Sequence, residues 1–343
     1  MSIRKFDRIP LACLPTPLSE ISNATKLLGG PNLFIKRDDL TGLSFGGNKA
    51  RKLEYIMADA LRNHANVIIT ASGMQSNWAQ ATAAAASKLG MRSTLILRMA
   101  QFKEAPQDFD GNLLLDKLIG AQVKIVEGSI RDAFQADRIM QDLAEHERKN
   151  GNNPYVAVIG GDTPLGTLGY VNAVQEIKQQ LMQMNKTIDH IVFASASGGT
   201  QAGLIIGAEQ FDVHTQIHGI NVGAMETSSL KKRICELTKE TADLLGLEYS
   251  IDPDDVLITD EYPGFADYGH LTKEAANAIT FLARTEAIFL DPVYTCKAFA
   301  GLIHLIREGF FSNKDNILFL HTGGTAAIFP YKRELIQYTE NNL

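Results

Sequence analysis

The chain has 343 residues, of which 45% are hydrophobic and 21% are charged, and its formal net charge is −6. Such a chain can bury one large core or two lobes of ordinary domain size. It has no basic run and no apolar stretch long enough to span a bilayer, which argues against nucleic acid and membranes as partners. The three cysteines lie far apart and the N-terminus lacks an apolar leader, so we expect a cytoplasmic protein without a disulfide framework.

The first half of the chain alternates short apolar runs with longer segments of helical periodicity. Leu53, Met57 and Leu61, for example, recur at the spacing of one helix face. The predicted strands are 33–37, 67–70, 93–97, 123–126 and 155–159, and the predicted helices are 49–63, 76–89, 113–118 and 130–149. Repeated strand, turn and helix units indicate parallel βαβ structure with helices on both faces of the sheet.

A composition break at 160–166, with the sequence GGDTPLG, follows this half, and we interpret it as a domain crossing. Beyond it the alternation resumes, with predicted strands at 191–194, 216–222 and 317–320 and predicted helices at 168–184, 228–245, 273–284 and 296–307. The sequence therefore predicts a two-lobed α/β protein built on open, twisted, mostly parallel sheets. In this prediction residues 1–48 and 161–343 form a large domain, and residues 49–160 form a small one.

Lys49 follows two glycines and Asn48 at the predicted start of a helix. Asn48 is a residue type that caps helices, which would make Lys49 the first helical residue. An ammonium group is badly placed there, because the N-terminus of a helix carries partial positive charge. This position predicts a partner for Lys49, such as a covalent one.

A second turn of small residues, 72–76, precedes another predicted helix start at Ser76 and Asn77. Free backbone N–H groups at such a start suit an anion such as a carboxylate, although Ser76 is also a residue type that simply caps helices. A lysine and an anion site in neighbouring turns could hold an amino acid at both ends.

A third turn, Ser197-Gly198-Gly199-Thr200, follows a predicted strand and offers N–H groups and hydroxyls that suit a phosphate. Taken alone it is equally compatible with an ordinary tight turn or a nucleotide phosphate site. The chain has neither GxGxxG nor GxxxxGK[ST], which argues against a dinucleotide site and a P-loop. The histidines and cysteines form no metal-binding motif, so we predict no metal site.

Four segments, 46–54, 75–77, 291–298 and 321–324, resemble the fold-type II pyridoxal-phosphate enzymes. Within that group they are similar to the branch that holds D-cysteine desulfhydrase and 1-aminocyclopropane-1-carboxylate (ACC) deaminase. The resemblance extends over nearly the whole chain. It implies the two-lobed fold of the tryptophan synthase β type, a homodimer, and pyridoxal phosphate attached covalently to Lys49, with Lys52 as the rival lysine one turn along the helix.

The resemblance also implies roles for other residues. Tyr294 and, with a less close match, Tyr268 would face the substrate, and Ser76 would contact it as a proton carrier or nucleophile. The implied cofactor contacts are Asn77 to the ring hydroxyl, Ser197, Gly198, Gly199 and Thr200 to the phosphate, and Thr322 to the pyridine nitrogen with Thr295 nearby.

Position 295 separates the two activities of this branch, because its ACC deaminases have glutamate after the tyrosine, whereas Tyr294-Thr295 resembles the desulfhydrase. We therefore predict α,β-elimination of D-cysteine to pyruvate, sulfide and ammonia. The alternatives are ACC deamination, elimination on another β-substituted amino acid such as cysteate or a D-serine derivative, and a non-catalytic pyridoxal-phosphate protein. Trp78 departs from the family pattern, and either packs against the neighbouring lobe or narrows the pocket.

Overall fold

The computed structural model describes residues 3–99, 109–127 and 133–340, which form two sheets covered by helices. The strands are β1 (Leu18–Glu20), β2 (Asn32–Arg37), β3 (Val67–Gly73), β4 (Arg92–Arg98), β5 (Gln122–Val126), β6 (Pro154–Val156), β7 (His190–Ser195), β8 (Gln216–Asn221), β9 (Leu257–Thr259) and β10 (Asn316–His321). The helices are α1 (Ser22–Leu28), α2 (Lys49–Arg62), α3 (Asn77–Lys88), α4 (Gly111–Ile119), α5 (Ala133–Lys149), α6 (Pro164–Met184), α7 (Gly199–Gln210), α8 (Thr227–Leu245), α9 (Lys273–Glu286), α10 (Thr295–Arg307) and α11 (Lys332–Glu340).

Both sheets are parallel over most of their width. The larger has the order β1-β2-β10-β7-β8-β9, in which only the edge pair β1–β2 is antiparallel, and the smaller has the order β5-β4-β3-β6. In the centre of the larger sheet, Leu318 lies opposite Phe34 on one side and Ile191 on the other. This confirms the predicted α/β class with mostly parallel sheets, and it gathers the carboxyl ends of the strands where ligands bind in such folds.

Helices cover both faces of the smaller sheet. Strand β3, one of its two central strands, is therefore buried along its whole length. Ile68 packs with Leu53 of α2 on one face, while Val67 and Ile69 pack with Met140 of α5 on the other. Complete burial of one such side chain contributes about 1.5–3 kcal/mol to folding. The continuous apolar run in the sequence is therefore the consequence of helices on both sides.

The segment 160–166 is only partly a loop, which corrects the expected helix start at 168. Helix α6 begins at Pro164, because Thr163 caps it through a hydrogen bond from the Gly166 N–H and proline fits the first helical position. The predicted strand 155–159 likewise ends at Val156, and Ile159 belongs to a short 3₁₀ turn, Ile159–Gly161. The remaining crossing is therefore short and glycine-rich.

Five of these strands and helices have no counterpart among the predicted ranges: β1, α1, α7, β9 and α11. Four of them, β1, α1, β9 and α11, have only three to nine residues and give a weak periodic pattern. In α7, residues 199–207 are all buried, so this helix lacks the polar face on which a helical pattern depends. Residues 130–132 of the predicted helix 130–149 lie outside the described residues. The domain boundaries at 48/49 and 160/161 stay a prediction. None of the helices in the described ranges has the length and apolarity that a membrane crossing requires.

Candidate active site

A cavity of about 760 Å³ lies at the carboxyl ends of strands from both sheets, and its size suits a cofactor with a small substrate. Of the residues predicted to bind the cofactor or the substrate, those that line it are Lys49, Ser76, Asn77, Ser197, Gly198, Thr200, Tyr268, Tyr294 and Thr322. Gly199 and Thr295 are not among the lining residues. Segments as far apart in sequence as Asn48 and Thr322 thus contribute to one cavity.

Lys49 is the first residue of α2, as predicted, and its Nζ donates to the Gly160 carbonyl oxygen at 3.3 Å. Burial, followed by the nearby charge of Lys52, lowers the pKa of Lys49 to about 7, against a smaller raising effect of Asp162. A large fraction of the amine is therefore neutral at neutral pH, which is the form that attacks an aldehyde or accepts a proton.

Asn48 does not cap α2, which corrects the expectation from sequence. Its backbone is already close to helical and its side chain makes no cap hydrogen bond. Its Nδ2 instead donates to Thr200 Oγ1 at 3.3 Å, and its backbone N–H donates to the Thr322 carbonyl oxygen at 2.9 Å. Asn48 therefore ties the lysine turn to two turns of the larger sheet.

Lys52 lies one turn after Lys49 and is only 1% exposed. Its Nζ donates to Asp162 Oδ1 at 2.5 Å and to the Gly160 carbonyl oxygen at 3.2 Å. Burial alone would raise the pKa of Asp162, but the charges of Lys52 and Lys49 hold that pKa below its usual value. Lys52 is thus ion-paired with the buried carboxylate of Asp162, whereas Lys49 lines the cavity.

The turn at 197–200 leads from β7 into α7. Gly198 has φ +94°, a backbone conformation that side chains with a Cβ rarely adopt, and a Cβ on Gly199 would overlap Asp162 Oδ1. The glycines are therefore needed for the shape of the turn. The first N–H groups of α7 and the Thr200 hydroxyl give it the donors that a phosphate requires.

The start of α3 combines a cap with an oriented amide. Ser76 Oγ accepts hydrogen bonds from the N–H groups of Trp78 at 3.1 Å and Ala79 at 3.3 Å, so these N–H groups are not open to a ligand. Asn77 Oδ1 accepts from Asn112 Nδ2 at 2.7 Å, which leaves the Asn77 Nδ2 group as the donor at the cavity. Asn112 had no distinguishing signal in the sequence.

Tyr268 and Tyr294 meet at the cavity with their hydroxyl oxygens 2.6 Å apart. Their rings are 5.6 Å apart between centroids and inclined by 67°, an edge-to-face contact. Burial raises the pKa of Tyr268 to about 12 and holds the pKa of Tyr294 well above its usual value, so both phenols are neutral at neutral pH. The pair can hold one shared hydrogen bond and offer a second proton to a ligand.

Thr295 contacts Asp291, which explains its absence from the cavity lining. Its hydroxyl donates to Asp291 Oδ1 at 2.7 Å and accepts from the Asp291 N–H at 2.8 Å. Asp291 Oδ2 accepts from the N–H groups of Val293 and Tyr294, each at 2.9 Å. This aspartate and threonine fix the start of α10 and with it the position of Tyr294.

Trp78 packs against the crossing segment and also borders the cavity. Its Nε1 donates to Thr70 Oγ1 at 2.8 Å, and a Cβ on Gly161 would lie 2.8 Å from its Cζ3 atom. Both possibilities left open by the sequence therefore apply to the same ring. No role was assigned to Asp162 or Asp291 from the sequence. The available signal was the position of each beside a glycine or proline turn, where polar side chains are often functional.

The donor set fits pyridoxal phosphate, the cofactor that the sequence resemblance implies. A partly neutral lysine can form the covalent bond, and a glycine turn that leaves no room for a Cβ can cradle the phosphate. The Asn77 amide and the Thr322 hydroxyl offer donors to the ring substituents.

Comparisons with known proteins agree with this fit. The sequence model of the family described as "Pyridoxal-phosphate dependent enzyme" matches residues 9–323. A D-cysteine desulfhydrase of Klebsiella pneumoniae (strain 342) is 40% identical over 337 residues, which cover 97% of this chain and 99% of that protein. A Pyrococcus horikoshii protein named putative 1-aminocyclopropane-1-carboxylate deaminase is 40% identical over 334 residues, covering 97% of each chain. A crystal structure described as an ACC deaminase homologue has a TM-score of 0.88 and 39% identity, covering 98% of this chain and 97% of that one.

Proposed function

This chain belongs to the family of pyridoxal-phosphate dependent enzymes, and from that premise we propose that it eliminates the β-thiol of D-cysteine. Its cofactor is pyridoxal phosphate. In the proposed reaction D-cysteine and water give pyruvate, hydrosulfide, ammonium and one proton. The carbon–sulfur bond breaks and its electron pair leaves with sulfur.

The observation that carries this choice is the residue beside Tyr294. Thr295 is buried and hydrogen bonded to Asp291, so the start of α10 offers the cavity a phenol and no second acid from position 295. By the resemblance described above, ACC deaminases of this branch have glutamate there. A threonine favours loss of a β-substituent over opening of a cyclopropane ring.

When bound, pyridoxal phosphate supplies an electron sink that eases the breaking of bonds at the substrate Cα. We assign Lys49 to hold the cofactor covalently between turnovers and, when its amine is free, to take the proton from the substrate Cα. A pKa near 7 supports this second role, because a general base is most effective when its pKa is near the working pH.

The remaining predicted residues receive binding roles. Residues 197–200 would bind the phosphate, Asn77 the ring hydroxyl and Thr322 the pyridine nitrogen. The positions of Ser197, Gly198, Thr200, Asn77 and Thr322 around the cavity support these roles. Because a threonine hydroxyl is not a charged partner, it would not keep the ring nitrogen protonated as a carboxylate would. Such a site suits prompt loss of the β-substituent.

Tyr294, with Tyr268 behind it, would donate a hydrogen bond to the departing sulfur, and Ser76 would contact the substrate. Support for the tyrosine role comes from the 2.6 Å bond between the two phenols, which orients both hydroxyl groups at the cavity. Their raised pKa values keep them as donors at neutral pH.

Keto-acid release tests the proposal. Purified holoenzyme should form pyruvate and sulfide in equal amounts from D-cysteine. Formation of 2-oxobutyrate from ACC, without pyruvate from D-cysteine, would reverse the choice of reaction. Bound cofactor without turnover of any D- or L-amino acid with a β-substituent, cysteate and serine derivatives included, would indicate a non-catalytic protein.

ACC deamination is the second candidate, because a relative as similar as the desulfhydrases, at 40% identity, is named as a putative deaminase of that substrate. The substitution Thr295→Glu best distinguishes D-cysteine elimination from ACC deamination. If residue 295 selects the reaction, the variant should lose D-cysteine turnover and gain at least traces of 2-oxobutyrate from ACC.

We also propose that the enzyme is a cytoplasmic homodimer. The dimer rests on the family resemblance, and the cytoplasmic location on three cysteines that are unpaired. Light scattering during size-exclusion chromatography should give twice the 37.6 kDa chain mass. A monomeric mass would contradict the dimer.

A further inference from the structure

Lys297 is a buried lysine that the proposed chemistry does not use. It is the third residue of α10, it is 0% exposed, and it does not line the cavity. Both features are costly, because burial removes the ammonium from water and the first turn of a helix repels positive charge. A compensating set of contacts is therefore expected.

Three backbone carbonyl groups from two loops supply that compensation. Lys297 Nζ donates to Ala266 at 2.8 Å, to Asp267 at 2.9 Å and to Val222 at 3.3 Å. An ammonium has three donors, so these contacts use its full capacity. Although burial lowers the pKa of Lys297 to about 8, the ammonium form with three donors still predominates at pH 7.

The two loops that Lys297 joins also contact each other. The Tyr268 N–H donates to the Gly223 carbonyl oxygen at 3.1 Å, directly beside the Asp267 carbonyl that the lysine holds. Gly223 has φ +81°, and a Cβ there would overlap the Ala266 carbonyl oxygen. The loop that carries Tyr268 is thus packed tightly against the end of β8, and the ammonium lies at their junction.

Tyr294 immediately precedes the same helix, three residues before Lys297. The start of α10 therefore positions Tyr294 directly. It also holds the loop of Tyr268 through the Lys297 ammonium. The 2.6 Å bond between the two hydroxyls depends on this arrangement, because a shift of the 266–268 loop by one ångström would break it.

We propose that Lys297 is a positioning residue that holds Tyr268 in contact with Tyr294. Its kinetic consequence rests on the proposed function, but the placement of the loop does not. Lys297 acts through Tyr268 and touches neither cofactor nor substrate.

Hydrogen–deuterium exchange of the holoenzyme tests the placement. Lys297→Met keeps an unbranched apolar side chain of nearly the same length and removes all three donors, so peptides covering 264–270 should exchange about 10-fold faster or more. The matched control is Leu302→Ala on the same helix, a wholly buried core residue. The control should lower the melting temperature without a selective change at 264–270. Unchanged exchange there in a folded Lys297→Met protein would overturn the proposal.

Kinetics of a double variant tests whether the effect passes through the tyrosine. We expect Lys297→Met to lower kcat for D-cysteine about 100-fold with a smaller change in KM, as misplacement of a reacting group does. In a Tyr268→Phe background the same substitution should cost little more, because the contact is already lost. Fully additive losses would contradict a positioning role.

A milder variant keeps the test decisive if Lys297→Met folds poorly. Lys297→Gln retains two donors on a shorter side chain and should give an intermediate exchange rate at 264–270. An exchange rate at 264–270 equal to wild type would overturn the proposal. If wild-type holoenzyme does not turn over D-cysteine, the proposed function fails, while the exchange measurements still decide the role of Lys297.

Discussion

Helices α2 and α3 both begin at the cavity after a turn of small residues, but their first N–H groups are satisfied differently. In α3, Ser76 caps the helix through two hydrogen bonds, so this start is complete in itself. In α2, Asn48 provides no cap and Lys49 brings a cation to the positive end of the helix. The start without a cap is the one that holds the reactive lysine.

Burial and nearby charges also give the two lysines of α2, Lys49 and Lys52, different reactivities. Lys49 and Lys52 both donate to the Gly160 carbonyl oxygen, but only Lys52 has Asp162 as a close ion-pair partner. The carboxylate stabilises one ammonium, and that ammonium in turn helps to lower the pKa of its neighbour. Two lysines on one helix face are thereby separated into an ion-paired residue and a reactive one.

Among these substitutions, Lys49→Ala should have the largest effect on activity. It removes the covalent bond and the base together, so we expect activity to fall by about 10³-fold or more. Borohydride reduction followed by peptide mapping should label Lys49 in the wild type and no lysine in the variant. A reduced cofactor adduct on Lys52 would show that the assignment of the two lysines is wrong.

Asp162→Asn breaks the pair that separates the two lysines. It leaves the Lys52 ammonium buried without its carboxylate, which should cost about 3–5 kcal/mol in the free energy of unfolding. Because Asp162 raises the pKa of Lys49, its loss should also lower that pKa further below 7. Urea unfolding measures the first effect, and an unchanged midpoint would contradict the importance of the ion pair.

The pH dependence of its reactivity distinguishes Lys49 from an ordinary lysine without any substitution. The neutral amine is the reactive form, so reductive methylation of Lys49 in the apoprotein should rise with pH and level off above about 7. An ordinary lysine, with a pKa near 10.5, would continue to gain reactivity up to about pH 10. Isotope-labelled methyl groups read by NMR distinguish the two curves.

A paired substitution at the two helix starts gives the smallest expected effect. Ser76→Ala removes a cap and should lower the free energy of unfolding by about 1 kcal/mol. Asn48→Ala removes no cap but does remove the 3.3 Å hydrogen bond to Thr200, and should cost about 0.5 kcal/mol. Equal losses measured by denaturant titration would mean that Asn48 stabilises the start of α2 after all.

The cap at Ser76 and the first helical position of Lys49 were predictable because both are local. A serine before an alanine-rich segment and two glycines before a lysine determine backbone geometry within a few residues. The role of Asn48 was not predictable in the same way. Its amide bonds to Thr200, a residue 152 positions away, and that contact exists only after both sheets have formed.

The sequence by itself determined the α/β class, the glycine turns at strand ends and the family, since periodicity, glycine and short motifs are carried by neighbouring residues. The pairing of Lys52 with Asp162 and the contacts of Lys297 with two loops could be read only from the tertiary structure. These choices depend on which distant groups meet once water is excluded. A buried polar group must find its partner among whatever the fold brings within hydrogen-bonding distance.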